Sequence, residues 1–308
     1  MTTKSPRSLG GTPLLCPEQA LTFLFVCLAV LVTRAEAVSQ EPTFANVPYV
    51  SGGGERQQLD LYLPTNYREV EKLPVLVWIH GGSWQSGSKK GMPGKHFTEH
   101  GYACVSINYR LVQQAVFPAQ IEDCKAAIRW LRANARTYHL DPNRIGVWGA
   151  SAGGHLVALL GTTPHKKEFD VGENLDQSSA VQAVCDIFGP TDLIAFADFM
   201  PLIASKGGVL GRLLGGTVSE KRELAVLASP IFHITKECPP FLIVHGSKDW
   251  VVPIFQSERF YDALQKAGVE SEMVIKEGVG HDEGIATPDM MDKVTGFFDK
   301  YVKKEPAK

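Results

Sequence analysis

The chain has 308 residues, 44% of them hydrophobic, with 31 Lys and Arg against 33 Asp and Glu and a formal charge of −2 at pH 7. That is enough chain for one large α/β domain or two small ones. A balance so near neutral argues against nucleic acid or an anionic membrane as a partner.

At the start, Lys4 and Arg7 precede the apolar run ALTFLFVCLAVLV (20–32), and Ala35-Glu36-Ala37 follows. A basic opening, an apolar core and an A-x-A pattern predict a secretory signal peptide over residues 1–37, cleaved after Ala37, and hence a secreted or periplasmic protein. The run falls short of the ~20 residues that span a bilayer, so no stable membrane span is expected after cleavage. Residues 38–308 then form one domain. Cleavage leaves Cys104, Cys124, Cys185 and Cys238. Export admits disulfides between them, while their apolar contexts equally suit buried free thiols. No C-x-x-C or H-E-x-x-H occurs, so no metal site is expected.

Along the mature chain, QQLDLYLP (57–64) alternates as a half-exposed strand. LPVLVWIHGG (73–82) is a continuous apolar run closed by glycines, as a strand buried on both faces requires, and YACVSINYR (102–110) repeats the pattern. The period then changes. In PAQIEDCKAAIRWLRANAR (118–136) Ile121, Cys124, Ile128, Leu131 and Ala135 fall on one helical face with the charges opposite. NRIGVWG is the next strand, and AGGHLVALLG (152–161) the helix after it. AVQAVCDIFGP (180–190) and PPFLIVHGSKD (239–249) read as two more buried strands. An amphipathic helix (257–268), a strand (271–278) and a final helix from about Asp289 complete the chain. Strands alternating with helices imply an α/β fold: a mostly parallel central sheet with helices on both faces. Residues 191–230 break the alternation, and an apolar insertion at the mouth of such a sheet predicts a small helical cap over a pocket.

The chemistry centres on GVWGASAGGH (146–155), where Gly149-Ala150-Ser151-Ala152-Gly153 has the form G-x-S-x-G. Small residues around one serine allow a sharp strand-to-helix turn that exposes its hydroxyl. A serine hydroxyl needs a base, and the base an orienting carboxylate. In a parallel sheet these collect after the carboxyl ends of strands. Asp249 follows FLIVHGSK and His281 follows MVIKEGVG, so the order Ser151, Asp249, His281 is that of a nucleophile, acid and base on this kind of sheet. HGGSW (80–84) follows a buried strand, and its glycines bring backbone N–H groups to a developing oxyanion. Gly81 and Gly82, with Ala152 and Ser83 as a substitute, are the candidate donors. The nearby Gly82…Gly87-Ser88-Lys89 lacks the G-K-[ST] order of a phosphate loop.

Together with LDLYLP, INYRL, FPAQIEDCKAAIRWL, FGPTDL and HGSKDWVVP, these pieces resemble an α/β-hydrolase of the esterase/lipase type, near its hormone-sensitive-lipase-like and bacterial feruloyl-esterase-like branches. The resemblance spans roughly residues 57–303. It implies a serine carboxylesterase without a cofactor, acting on a small-molecule or polysaccharide-linked ester. HGGS stands where the lipase pattern reads HGGG. The HGGxW form also fits arylformamidases, which makes an amide hydrolase the second expectation. A non-catalytic binding protein on the same fold is the third, although all triad members are present.

Competing side chains receive other roles. Asp192 is expected to cap the first helix of the insertion. His245 should be packed or hydrogen-bonded at its strand end, His155 should point away from the nucleophile, and His80 should brace its own loop. Arg110 and Asp123 form an expected structural ion pair. Trp84 either lines the substrate pocket or packs beneath it.

Overall fold

A computed structural model describes residues 41–68, 72–90, 92, 94–281 and 286–303. The expected signal peptide therefore lies outside the described residues. The apolar runs pair into an eight-stranded sheet: β1 (Phe44–Pro48), β2 (Gln58–Tyr62), β3 (Leu73–Ile79), β4 (Ala103–Ile107), β5 (Leu140–Ala150), β6 (Ala183–Ile187), β7 (Phe241–Gly246) and β8 (Ser271–Lys276). Their order is β1-β2-β4-β3-β5-β6-β7-β8. The β1–β2 and β2–β4 pairs are antiparallel and the remaining pairs parallel.

Helices cover both faces because successive residues of the central strands point opposite ways. Val75, Val77 and Ile79 of β3 join one apolar layer with α2 (Ala119–Ala133) and α3 (Ala152–Thr162). Leu76 joins the other, with Phe97 of α1 (Lys95–Glu99) and Phe297 and Phe298 of α9 (Pro288–Phe298). After β3 the chain crosses to β4 on one side, and later to β5 on the other. The loops leaving β3 and β5 thus flank a switch point, the place where such sheets gather ligands.

Two expectations are corrected. β2 is buried on both faces, since the unforeseen β1 pairs along its edge and Asp60 lies under the Lys89 ammonium at 2.7 Å. The polar side of α2 is also buried. Arg110 Nε reaches Asp123 at 2.9 Å, as expected of that pair, while Lys125 and Arg129 meet Asp170 at 3.5 and 3.0 Å. A charged side chain tolerates such burial only when paired.

The insertion folds as α4 (Leu193–Phe199), α5 (Pro201–Ala204), α6 (Val209–Leu214) and α7 (Arg222–Leu227), before α8 (Phe255–Lys266) follows β7. Leu210, Leu213 and Leu214 enter the core, while Phe199 and Leu202 stay 63% and 78% exposed. Asp192 caps α4 by accepting the Ala195 N–H at 2.9 Å, as expected, and is held by Arg259 at 2.9 Å. Cys104, Cys124, Cys185 and Cys238 are buried free thiols. No helix among the described residues is long and apolar enough to cross a membrane.

Candidate active site

β5 ends at Ala150 and α3 begins at Ala152, leaving Ser151 to make the whole turn at φ 56° and ψ −120°. This region is strained for a residue with a Cβ, at about 1–3 kcal/mol. The flanking glycines make it feasible by close approach. A Cβ on Gly149 would lie 2.7 Å from the Gly153 carbonyl carbon, and one on Gly153 would lie 2.0 Å from the Ile79 oxygen. The Ser151 N–H is held by the Ile187 carbonyl of the next strand at 2.9 Å.

The acid and the histidine arrive from loops after β7 and β8, and those loops are laced together. Lys248 N–H reaches the Val279 carbonyl at 2.8 Å, and Gly278 N–H reaches Ser247 Oγ at 2.8 Å. The consequence is a continuous relay: Ser151 Oγ lies 2.9 Å from His281 Nε2, and His281 Nδ1 lies 2.6 Å from Asp249 Oδ2. A carboxylate only accepts, so Nδ1 donates to it and Nε2 is free to receive the serine proton. Burial pushes the Asp249 carboxyl up. Hydrogen bonds from His245 and His281, with the Val252 N–H, overcome this and hold it well below the usual carboxylate range.

On the other flank, Ile79 pairs with Gly149 in register, which sets the HGGSW loop directly over the turn. A Cβ on Gly81 would stand 2.8 Å from the Ala150 oxygen and 3.3 Å from Ser151 Cβ. Gly82, Ser83 and Trp84 then take φ of 102°, 55° and 58° in succession. The Gly82 carbonyl turns inward to accept from Gln85 and Ser86 at 2.9 and 3.0 Å. Among the described residues no backbone carbonyl pairs with the N–H of Gly82 or Ser83. The Ala152 N–H opens α3 and has no partner within the helix. Gly81, Gly82, Ser83 and Ala152 are thus brought together beside Ser151.

Trp84 is buried beneath this loop, at 2% exposure. Its indole N–H donates to His155 Nδ1 at 3.2 Å, and His155 Nε2 donates to the Ala228 carbonyl at 2.7 Å. An indole only donates and a carbonyl only accepts, so this histidine has one neutral tautomer. Burial pushes its pKa down to about 4 against the pull of the Ala228 bond. His155 therefore ties the loop, the nucleophile helix and the end of the insertion together, away from the serine hydroxyl. His80 braces its loop through Gly81 O at 2.8 Å and stacks on Tyr109 at 4.3 Å, with burial pushing it down to about 4 as well.

Two participants, Phe188 and Asp186, escaped sequence reasoning, while His245 is packed and hydrogen-bonded at its strand end as expected. His245 donates from Nε2 to the Val252 carbonyl at 2.8 Å and stands 3.3 Å from Asp249 Oδ2. Phe188 sets its ring 4.4 Å from that of His281, from a backbone φ of 43°. Asp186 is fully buried behind them. The available signal was Asp186 itself, a lone acid inside the apolar run AVCDIFGP. No cluster of His, Cys, Asp or Glu among the described residues is arranged to hold a metal ion.

Comparison with known proteins finds esterases among the relatives of this chain. The chain is 34% identical over 218 residues to the probable carboxylic ester hydrolase LipM of Mycobacterium tuberculosis, covering 69% of this chain and 50% of that one. It is 34% identical over 222 residues to esterase LipC of the same organism, covering 68% and 52%. The chain thus spans about half the length of these curated relatives. A truncated form of a carbohydrate esterase from gut microbiota superposes with a TM-score of 0.80 at 33% identity, over 88% of this chain and 99% of that one. An acetyl ester-xyloside bifunctional hydrolase from Caldicellulosiruptor lactoaceticus does so with a TM-score of 0.68 at 25% identity, over 84% and 94%. The BD-FAE family model matches residues 59–264, and the chain belongs to that family of α/β-hydrolase esterases.

Proposed function

We propose that the protein is an exported serine carboxylesterase that removes short acyl or aryl groups, such as acetyl or feruloyl, from small-molecule or polysaccharide-linked esters. The observation that carries the reading is the unbroken relay from Ser151 through His281 to Asp249. Ser151 Oγ attacks the ester carbonyl as His281 Nε2 takes its proton, and Asp249 steadies the imidazolium that forms. The oxyanion is received by N–H groups of Gly81, Gly82 and Ala152, with Ser83 within the same loop. His281 returns the proton to the leaving alcohol. Water then repeats the sequence on the acyl-enzyme, and no cofactor takes part. The carbohydrate-esterase and acetyl-ester hydrolase neighbours support the choice of substrate class. The N-terminal reading of residues 1–37 supports export, and the four short helices of residues 191–230 supply the cap.

Hydrolysis of p-nitrophenyl esters from acetate to laurate, with methyl ferulate, acetylated xylan and formylkynurenine, tests this against Ser151→Ala. The expected outcome is cleavage peaking at short acyl or feruloyl esters and falling by about a millionfold in the variant, as for removal of a serine nucleophile elsewhere. Cleavage confined to formylkynurenine would reassign the site to amides. Full activity in the variant would remove Ser151 from the mechanism.

A further inference from the structure

Asp186 lies one residue before the end of the buried strand β6, and no step of the mechanism uses it. One of its oxygens, Oδ1, accepts the Gly189 N–H at 2.9 Å, while Oδ2 has no hydrogen-bond partner among the described residues. Glycines of α3 and of the turn pack closely against this carboxyl and against each other's backbone. A Cβ on Gly154 of α3 would fall 2.4 Å from Oδ1, and one on Gly189 would fall 2.5 Å from it. Between its two ends, the 186–189 turn touches the backbone of Ser151 and the ring of His281. Ile187 O holds the Ser151 N–H at 2.9 Å, and Phe188 lies against the His281 ring at 4.4 Å with a left-handed backbone that its own Cβ disfavours. Phe188 N–H is pinned to the Val244 carbonyl at 2.8 Å.

We propose that Asp186 is a positioning residue for the esterase reaction: by closing the 186–189 turn through Gly189 N–H it fixes Ile187 O under Ser151 and Phe188 against His281, and the turn is tightest when the carboxyl is ionised. An ionised acceptor makes the stronger bond to an N–H, and the turn needs it, because Phe188 would otherwise relax from its strained φ. Burial pushes the carboxyl up to about 6, opposed by the Gly189 bond and by His245. The groups around it are few. β7 presents His245, α3 presents the bare Gly154 followed by the neutral His155, β5 presents Gly149, and Cys185 stands beside it on its own strand. Protonation of Asp186 near pH 6 therefore loosens the turn.

The inference rests on the esterase reading, so the test has two readouts: turnover of p-nitrophenyl acetate, and the rate at which a fluorophosphonate labels Ser151. Asp186→Ala should lower both by about 10- to 100-fold, the scale of a small misplacement of reacting groups, with KM little changed. Asp186→Asn keeps a neutral acceptor oxygen for Gly189 but carries no charge, so it should recover part of the loss and no more. The acid limb of kcat should fall more steeply in wild type, where the charge on Asp186 is lost as well, than in Asp186→Asn, which has no charge there to lose. A merely structural aspartate would not change that slope. The proposal is overturned if Asp186→Ala matches wild type, if Asp186→Asn is as slow as Asp186→Ala, or if the slope is the same in wild type and Asp186→Asn. If Asp186→Ala does not fold, the Asp186→Asn slope decides alone. Absence of ester turnover with normal labelling would defeat the esterase reading, and the labelling rates and their pH dependence would still judge Asp186.

Discussion

Two buried carboxyls lie on neighbouring strands of one sheet and meet opposite fates. Asp249, just past β7, accepts the Val251 and Val252 N–H groups at 2.9 Å each on one oxygen, and His281 at 2.6 Å on the other. Asp186, in β6, has the single bond from Gly189. Burial pushes both up. The first is nonetheless held well below the usual range and the second rises to about 6. The number of aimed donors, rather than depth, decides the charge state of a buried acid. The site thus holds one acid charged into the acid range and a second that responds to pH nearer neutrality.

The sharpest way to break this contrast is Asp249→Asn. An amide in place of Oδ2 would face the His281 Nδ1–H with a donor and favour the wrong tautomer, as in the serine-protease triad. We expect kcat to fall by about four orders of magnitude with KM little changed. Steady-state kinetics on p-nitrophenyl acetate measure it, and a loss below tenfold would mean that Asp249 does not orient the base.

Stability against pH sharpens the comparison from the other side. The folded Asp186 pKa stands above its unfolded value, so between about pH 4 and 6 the folded state holds a proton that the unfolded chain has released. Wild-type stability therefore carries a penalty that grows as pH rises through that window. Asp186→Asn escapes it, and its stability relative to wild type should climb by up to about 3 kcal/mol from pH 4 to 6, then level off. Asp249 has the reverse sign, since its folded pKa is depressed. Its contribution is complete above the unfolded value near pH 4 and is lost as pH falls. The deficit of Asp249→Asn should accordingly be full at neutral pH and shrink in acid. Urea melts of the three proteins across this range test the pair, and parallel curves would refute the contrast. A charged form that costs stability yet tightens the turn is the usual trade between stability and activity.

The smallest effect concerns space. Gly154→Ala puts a methyl 2.4 Å from the Asp186 carboxyl and should cost about 1–3 kcal/mol. In an Asp186→Ser background, where the side chain is shorter, part of that cost should vanish, with a coupling of about 1 kcal/mol in thermal melts, while the approach of the same methyl to Gly189 N and Cα at 2.9 Å remains. Additive effects would show that the carboxyl is not what Gly154 accommodates.

Much of this site was readable along the chain. Gly149, Ser151 and Gly153 are close in sequence, and their need for close backbone approach is local. The order of acid and histidine follows from where strands end. The long apolar runs of β3, β4 and β7 were legible because a strand buried on both faces has no polar side to show. The edge was harder. FANVP lacks a continuous apolar run, and its role is to pair with β2, so the strand is made by its partner. The charges of α2 look like a solvated face until Arg110 and Asp170, from distant segments, are placed upon them.

The sequence alone therefore determined the sheet-and-helix alternation and the identity of Ser151, Asp249 and His281 as candidates, because period, turn chemistry and chain order are short-range properties. Tertiary structure decided the rest. Which oxygen of Asp249 meets His281, how His155 joins Trp84 to Ala228, and why Asp186 is buried with half its bonding unmet all depend on groups that meet only across the sheet. Hydrogen bonds and desolvation act over a few ångströms of space, whatever the separation along the chain.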